Sequence, residues 1–584
     1  MNSVNMKNNE EGKAWRPKMV DLLVRGTALL QSQPKADALK IAIIGSVTTD
    51  MIARAVAFGA AAEQDAVQVW QASFGVWRQE ILAPNSELYH YQPDIILIVI
   101  TWRDLVEQLP LSLNEEEMKG LIASKVAGWR KLWSLIQERL PQCRIIHHLP
   151  SYRPASYLGV AEERLPSSFV NQINLIRKEF LRNNKDIFFM DTKGLVDDAE
   201  AYYAAKLPFS QDCLPEYVAK FRSVFRQITN CSKKVLVLDL DNTLWGGVIG
   251  DDGVEGIALG QGSALGEAFL AFQNYVCDLA ARGIILAICS KNDRNIAMTG
   301  FTHSGSSLSE SSFAAIECSW DDKASGIRRI AQTLNVGLDS IVFVDDNPVE
   351  CALVSEHLPM VVSICLGSDP SKFIDCIDKG YWFSAQSLSE EDFIRSQAYQ
   401  ARVQAQEALD DSVDFESFLT SLNMVGSVVE ANKHDEERLA QMEGKTNQFN
   451  ITTRRYKLTD IQKFIKEENA CIFVVRLKDK FGDHGIVSSI IGKIKGNTLR
   501  IDSWLMSCRV FSRTLEQFIM NNLLSFCRHR GIETIEGEYI PSPKNKVVSD
   551  LYRNLGFSHS SDNIWLFKIS EKTIDFITYI NKDN

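Results

Sequence analysis

The sequence predicts an α/β protein of several domains: two units built on parallel sheets, followed by a smaller α+β unit. Three observations predict this. Apolar runs alternate with helical patterns from about 39 to 230, the same alternation restarts at Lys233, and strand-like runs gather around one long helix between about 416 and 572. Strands spaced by helices imply a parallel sheet.

The 584 residues suffice for about three or four domains. Composition is that of an ordinary globular protein, 45% hydrophobic and 23% charged. The net charge of −11 argues against a nucleic-acid-binding surface. No apolar run approaches the roughly 20 residues of a membrane span. The opening "MNSVNMKNNEEGKAW" lacks the apolar core of a signal peptide and reads as a disordered tail on a cytoplasmic protein. The twelve cysteines are scattered, with no C-x-x-C pair. A zinc site or disulfide framework is therefore not expected, and most thiols should be buried and inert.

In chain order, residues 1–38 read as a tail and a lead-in helix. Residues 39–230 form the first α/β unit, with buried strands at "LKIAIIG" (39–45), "DIILIVIT" (94–101), "CRIIHHL" (143–149) and "IFFMD" (187–191). The second unit, 233–368, has strands at 235–238, 284–289 and 341–344. Residues 369–415, which include "SLSEEDFIRSQAYQARVQAQEALDD", read as a helical connector. The third unit, 416–572, carries "CIFVVRL", "IVSSIIGKI", "TLRIDSWLM" and "IWLFKI" as strands and a helix from about 512 to 530. Residues 573–584 read as a C-terminal tail.

The chemistry concentrates in the second unit. "VLVLDLDNTLW" runs a strand into Asp239 and Asp241, then Thr243. The C-terminal ends of parallel strands are where open α/β sheets place ligands. Two carboxylates there repel each other unless a cation or a shared proton intervenes. Magnesium resolves the conflict, since it prefers oxygen ligands and tolerates phosphate beside it. One carboxylate can then attack phosphorus while the other handles protons. A strand end followed by a solvated turn is the plainer alternative. "IILAICSKND" ends the next strand with Cys289, Ser290 and Lys291; "WDDKASGIRRIA" sets Lys323 before a helix; "IVFVDDNPVE" ends a third strand with Asp345 and Asp346.

Strand-end carboxylates, a strand-end serine, a lysine and a second acidic pair, in that order, resemble the haloacid dehalogenase superfamily. "DLDNTLWGGVIGDDG", "CSKND", "FAAI" and "FVDDNPVE" are similar to its FkbH-like branch, class IIIC, which has a capless Rossmann-like domain. The resemblance implies Asp239 as phosphoryl-accepting nucleophile and Asp241 as general acid/base. Thr243, Ser290, Lys291 and Lys323 would bind phosphate. Asp239, Asp345, the backbone carbonyl of Asp241 and, in support, Asp346 would hold magnesium. It further implies transfer of a glyceryl unit from 1,3-bisphosphoglycerate to a phosphopantetheinylated acyl carrier protein in polyketide-type biosynthesis, with loss of phosphate. Spacing agrees with a lidless site: between Asp241 and Ser290 there is room for one helix, one strand and a glycine-rich hairpin, "GGVIGDDGVEG". A simple phosphatase on a phosphometabolite or phosphoprotein, and a non-catalytic carrier-protein scaffold, are the rivals.

Two further resemblances frame the ends of the chain. "NKVVSDLYRNLGF" is similar to the last turn of GCN5-related acetyltransferases (the GNAT fold). The stretch from Arg509 to Thr514 stands where such enzymes cradle a pyrophosphate, but it has no glycines. A pantetheine arm and its carrier are thus the expected partner, met by Arg454, Arg455, Arg509 and Arg513. "IIGSVTTD" places Ser46 after a strand, as in SGNH-type hydrolases of flavodoxin-like fold, yet "PFSQDCLPEYVAKF" supplies no histidine. A serine without a base is a poor nucleophile, so a degenerate hydrolase-like domain is expected, with His147 and His148 structural. For acyl transfer Cys289 is the first candidate thiol and Cys508 the second. Strand side chains alternate, so Cys289 faces either the ligand or the core.

Overall fold

The computed structural model describes residues 16–583 except 34, 36, 151–157, 183, 185, 391, 394, 396–398, 400–414, 447, 448, 481, 508, 509, 512, 543, 544, 562 and 571–574. The expected N-terminal tail before residue 16 and much of the expected connector, along with Cys508 and Arg509, lie outside the described residues. The chain packs as two compact units, Met1–Lys234 with Asp339–Ser387, and Val235–Leu338 with Leu388–Asn584. The strands of the described residues form three sheets.

The first sheet holds β1 (Leu39–Gly45), β2 (Val67–Gln71), β3 (Ile95–Val99), β4 (Arg144–Leu149) and β5 (Ile187–Asp191), in the order β2-β1-β3-β4-β5. Every neighbouring pair is parallel. β3 is buried along its whole length, as a central parallel strand covered on both faces must be, and its "IILIV" shows no alternation. β2, "VQVWQ", escaped the sequence reading because it is an edge strand with every residue half-buried. A helix, Met19–Gln31, precedes β1. His147 is wholly buried and edge-on to Trp129, Trp133 and Phe180. His148 meets the Tyr217 hydroxyl at 3.0 Å. Both histidines are core residues.

The second sheet holds β6 (Val235–Leu238), β7 (Ile285–Ser290), β8 (Ala315–Cys318), β9 (Ile341–Asp345) and β10 (Val362–Cys365), in the order β10-β9-β6-β7-β8. The pairs β6–β7, β7–β8 and β9–β10 are parallel. The outer strands β8 and β10, "AIEC" and "VSIC", are four residues each and too short and mixed to stand out in the sequence. β6 is flanked by β9 and β7, so its end sits at the point where the strand order reverses.

The third sheet contains β11 (Val425–Glu430), β12 (Phe449–Asn450), β13 (Ala470–Asp479), β14 (Gly482–Lys495), β15 (Thr498–Met506), β16 (Thr534–Glu538), β17 (Ser558–Ser561), β18 (Ile564–Lys568) and β19 (Asn581–Lys582). β13, β14 and β15 form an antiparallel meander, and β15 pairs with β16 in parallel. The helix Leu515–Arg530 buries Phe518, Ile519, Leu523 and Cys527 against this sheet. The end of the chain is not a loose tail: β19 pairs with β11, and Ile580 is buried in the same core. No helix among the described residues is long and apolar enough to cross a membrane.

Candidate active site

β6 is wholly buried, so the chain leaves the core only at its end, and the next residue is Asp239. Asp239 remains 6% exposed and forms an ion pair with Lys323 at 2.8 Å. Lys323 begins the helix Lys323–Leu334, whose first turn is capped by Asp322 accepting from the Ser325 backbone N–H. The cap fixes the helix start and hence the lysine. Carboxylate oxygens of Asp239, Asp345 and Asp346 lie within 4.8 Å of one another. Asp345 is fully buried and accepts the Asn347 N–H at 2.8 Å, which orients it at the end of β9. Three carboxylates so close together in a largely buried place repel one another, a cost that a cation offsets. Three hard oxygen donors suit a magnesium-type ion and no softer metal.

Asp241 is not part of that trio. Its Oδ1 accepts from Trp245 Nε1 at 2.9 Å and from the Ile249 N–H at 3.0 Å, and its Oδ2 accepts from Asn292 Nδ2 at 3.0 Å. Burial raises its pKa; the three donors oppose that rise and the Asp239 charge adds to it. With Oδ1 taken by two donors, Oδ2 is the oxygen that can carry a proton. Trp245 and Asn292 were missed by the sequence reading, although both lie inside its motifs, in "NTLW" and "SKND". Both are buried. The expected glycine-rich hairpin is mostly a short helix, Ile249–Gly256, closed by a bridge between Gly246 and Ala258. Gly247 turns the chain into it with φ +100, and a Cβ there would meet Asp252 Oδ2 at 2.5 Å. That turn delivers the Ile249 N–H to Asp241.

The remaining expected residues divide. Ser290 ends β7 and is buried, and Lys291 beside it is half-buried. Thr243 is wholly enclosed, and its Oγ1 has no hydrogen-bond partner among the described residues; it is shut off from solvent rather than open to a phosphate. Cys289 is 3% exposed, and its Sγ donates to the Lys323 carbonyl at 3.6 Å. A Cβ on Gly326 would lie 2.8 Å from that sulfur. Cys289 thus packs against the helix backbone, the core-facing alternative.

The expected basic patch is tied up internally. Arg454 donates to Asp502 at 3.0 Å and to Glu538 at 2.7 Å. Arg455 donates to the carbonyls of Glu443 and Thr446. Arg513 is 5% exposed and paired with Asp479. These are structural cations, each held by carboxylates or backbone carbonyls of the same unit. Ser46 donates to the Asp104 carboxylate at 2.7 Å.

Comparison with known proteins agrees with this geometry. Residues 40–224 match the family model described as FkbH, N-terminal domain. The N-terminal part of the protein BF1531 from Bacteroides fragilis, containing a phosphatase domain and complexed with Mg, is similar at 29% identity and a TM-score of 0.57; the match covers 64% of this chain and 100% of that one. The ribosomal-protein-S18-alanine N-acetyltransferase of Escherichia coli matches over 26% of this chain and 99% of its own, at 14% identity and a TM-score of 0.21. A putative GNAT-family acetyltransferase of Desulfovibrio desulfuricans matches over 25% of this chain and 100% of its own, at 10% identity and a TM-score of 0.22. No curated protein matches. The chain therefore carries a region that matches the FkbH N-terminal domain and, after it, a parallel sheet with strand-end carboxylates, and it is similar to a solved protein that contains a phosphatase domain.

Proposed function

We propose that this chain is a magnesium-dependent enzyme that takes the glyceryl unit of 1,3-bisphosphoglycerate, releases phosphate, and loads the acyl group onto a phosphopantetheinylated acyl carrier protein, in the cytoplasm and for polyketide-type biosynthesis. The observation that carries the phosphatase half is the trio Asp239, Asp345 and Asp346 with Lys323 against Asp239. Magnesium in the Bacteroides fragilis relative supports the same ion here. When bound, it would offset the carboxylates and draw a phosphate group to them. Asp239, Asp345 and Asp346 would hold it.

The chain's own residues then have distinct tasks. An Asp239 oxygen forms a bond to phosphorus, and the bond from phosphorus to the leaving oxygen breaks. Asp241, with its proton on Oδ2, gives that proton to the leaving oxygen and later takes one from the water that releases phosphate. Lys323 and Ser290 steady the phosphate. This chemistry suits the phosphomonoester end of the substrate. Applied to the acyl phosphate end it would yield only a free acid, since attack at phosphorus leaves the acyl carbon on its oxygen. Acyl transfer needs attack at the carbonyl carbon, by a thiol.

The carrier role is supported by the FkbH match and by the short connection after β6, which leaves no large lid. Exposed apolar side chains follow the strand ends: Val248 after β6, Ile296 after β7 and Trp320 after β8. They give a carrier an apolar contact that Arg454, Arg455 and Arg513 do not. The enclosure of Cys289 favours a second reading, a simple phosphatase. Phosphate release from 1,3-bisphosphoglycerate with magnesium, with EDTA, and with added carrier tests the proposal. Release that ignores EDTA would reject the metal site, and release without any acylated carrier would leave the simple phosphatase.

A further inference from the structure

Trp245 is wholly buried, yet its indole N–H is spent on a carboxylate at the end of the sheet. We propose that Trp245, seated against Gly300, is a positioning residue that fixes Asp241 with Oδ2 toward the leaving oxygen, and that this suits the site to phosphomonoesters of alcohols; the inference rests on the roles proposed above for Asp239 and Asp241.

The turn after β6 sets the ring's near end. The Leu244 N–H donates back to the Leu240 carbonyl at 2.8 Å. The Leu244 carbonyl accepts from Gln273 Nε2 at 3.0 Å, and Gln273 is itself wholly buried on the helix Ala264–Ala281. The ring's far end is housed as closely. Gly300 caps the short helix Arg294–Thr299, and a Cβ there would lie 2.6 Å from Trp245 Cη2 and 2.8 Å from Cζ2. Its φ of −56° is one that any residue adopts, so glycine stands there for space and not for backbone conformation. Phe301 meets the indole edge-on at 5.4 Å. Bonded at Nε1 and enclosed at the opposite edge, the ring has one placement.

That placement passes to Asp241. Oδ1 is pinned between Trp245 Nε1 at 2.9 Å and the Ile249 N–H at 3.0 Å. Oδ2 accepts from Asn292 alone among the described residues, at 3.0 Å. A carboxyl group free to rotate presents either oxygen; this one presents Oδ2. Such orientation matters most where the leaving group needs a proton. When the phosphoryl group passes to Asp239, the bond from phosphorus to the leaving oxygen breaks, the electron pair stays on that oxygen, and the Asp241 proton joins it. An alkoxide is too basic to depart without that proton, whereas a nitrophenolate departs unaided.

Trp245→Phe removes the indole N–H and keeps an aromatic ring. The full-length chain with magnesium is assayed on 3-phosphoglycerate, an alkyl ester, and on 4-nitrophenyl phosphate. The variant should lower kcat on the alkyl ester at least about tenfold more than on the aryl ester, with KM moved alike for both. Gly300→Ala pushes the ring without removing the N–H; it should show the same selective loss to a smaller degree, and it serves if Trp245→Phe does not fold. In the nitrogen–proton spectrum of the tryptophan side chains, the native resonance that Trp245→Phe removes should move in Asp241→Asn. An unmoved resonance, equal loss on the two esters, or undiminished turnover of the alkyl ester overturns the assignment and leaves the aspartate chemistry standing. No phosphate release from either ester by the native chain overturns both.

Discussion

Two charged clusters in this chain resemble each other in composition and differ in balance. At the strand ends of the second sheet, Asp239, Asp345 and Asp346 gather with Lys323 as the ammonium set against Asp239. At the third sheet, Arg454, Lys493 and Arg500 meet Asp502, Glu536 and Glu538. The second cluster closes on itself: three cations meet three carboxylates. The first brings three carboxylates within 4.8 Å of one another where water is scarce. A balanced cluster holds a sheet together; an unbalanced one of carboxylates awaits a cation.

The largest effect should come from the unbalanced cluster. Asp239→Asn keeps the side chain's size but removes both nucleophile and metal ligand, so phosphate release should fall by about a thousandfold or more with the fold retained. Normal turnover by the folded variant would contradict the assignment. Lys323→Met removes the partner of a buried carboxylate. It should cost about 3–5 kcal/mol in magnesium-free buffer. Magnesium should recover more melting temperature in this variant than in the native chain. Equal recovery would mean that the ion does not bind beside Asp239.

Acid should separate the two compact units. Burial lowers His147 to about 3 and His148 to about 4, from ordinary values of 6.5. Their folded pKa values lie below the unfolded ones, so their contribution is complete above pH 6.5 and is lost as pH falls, by roughly 1.4 kcal/mol per pH unit for each. Glu443, in the other unit, runs the opposite way. Burial raises it to about 7 from 4.5, so its unit gains stability as pH falls from 7 toward 4.5. Calorimetry between pH 7 and 5 should show one transition moving down and another holding or rising; parallel shifts would refute the two-signed account.

The balanced cluster should respond as structure does. Arg454→Glu should destabilise the chain by about 1–2 kcal/mol, through lost pairs with Asp502 and Glu538 and new repulsion. It should leave the salt dependence of carrier loading unchanged, as stopped assays across ionic strength would show. A weakened salt dependence would restore this arginine to the docking surface. Smallest of all, Ser46→Ala should cost about 1 kcal/mol for the lost bond to Asp104 and leave phosphate release intact. Loss of activity there would revive the first sheet's strand end as a site.

Much of this was legible in the residues, and the limits have physical causes. Continuous apolar runs such as "DIILIVIT" marked the central parallel strands, because a strand covered on both faces has no reason to alternate. Edge strands such as "VQVWQ" and "AIEC" did not show, being half-covered and short. Asp239, Lys323 and Asp345 stood in recognisable motifs, and the structure brings Lys323 and Asp345 to Asp239. The direction of Cys289 was not readable, since it depends on register with β8, a pairing remote in sequence. The arginines misled for a similar reason: Asp502 and Glu538, which pair with Arg454, come from strands far along the chain.

The central claim is that Asp239 chemistry and acyl transfer occur in one crevice. Intact-protein mass spectrometry of a phosphopantetheinylated carrier, incubated with this chain, magnesium and 1,3-bisphosphoglycerate, tests it most directly when phosphate is counted in the same tube. The account predicts a carrier heavier by one dephosphorylated glyceryl unit, with both phosphate groups released for each unit loaded. An unmodified carrier beside free glycerate and phosphate would contradict it.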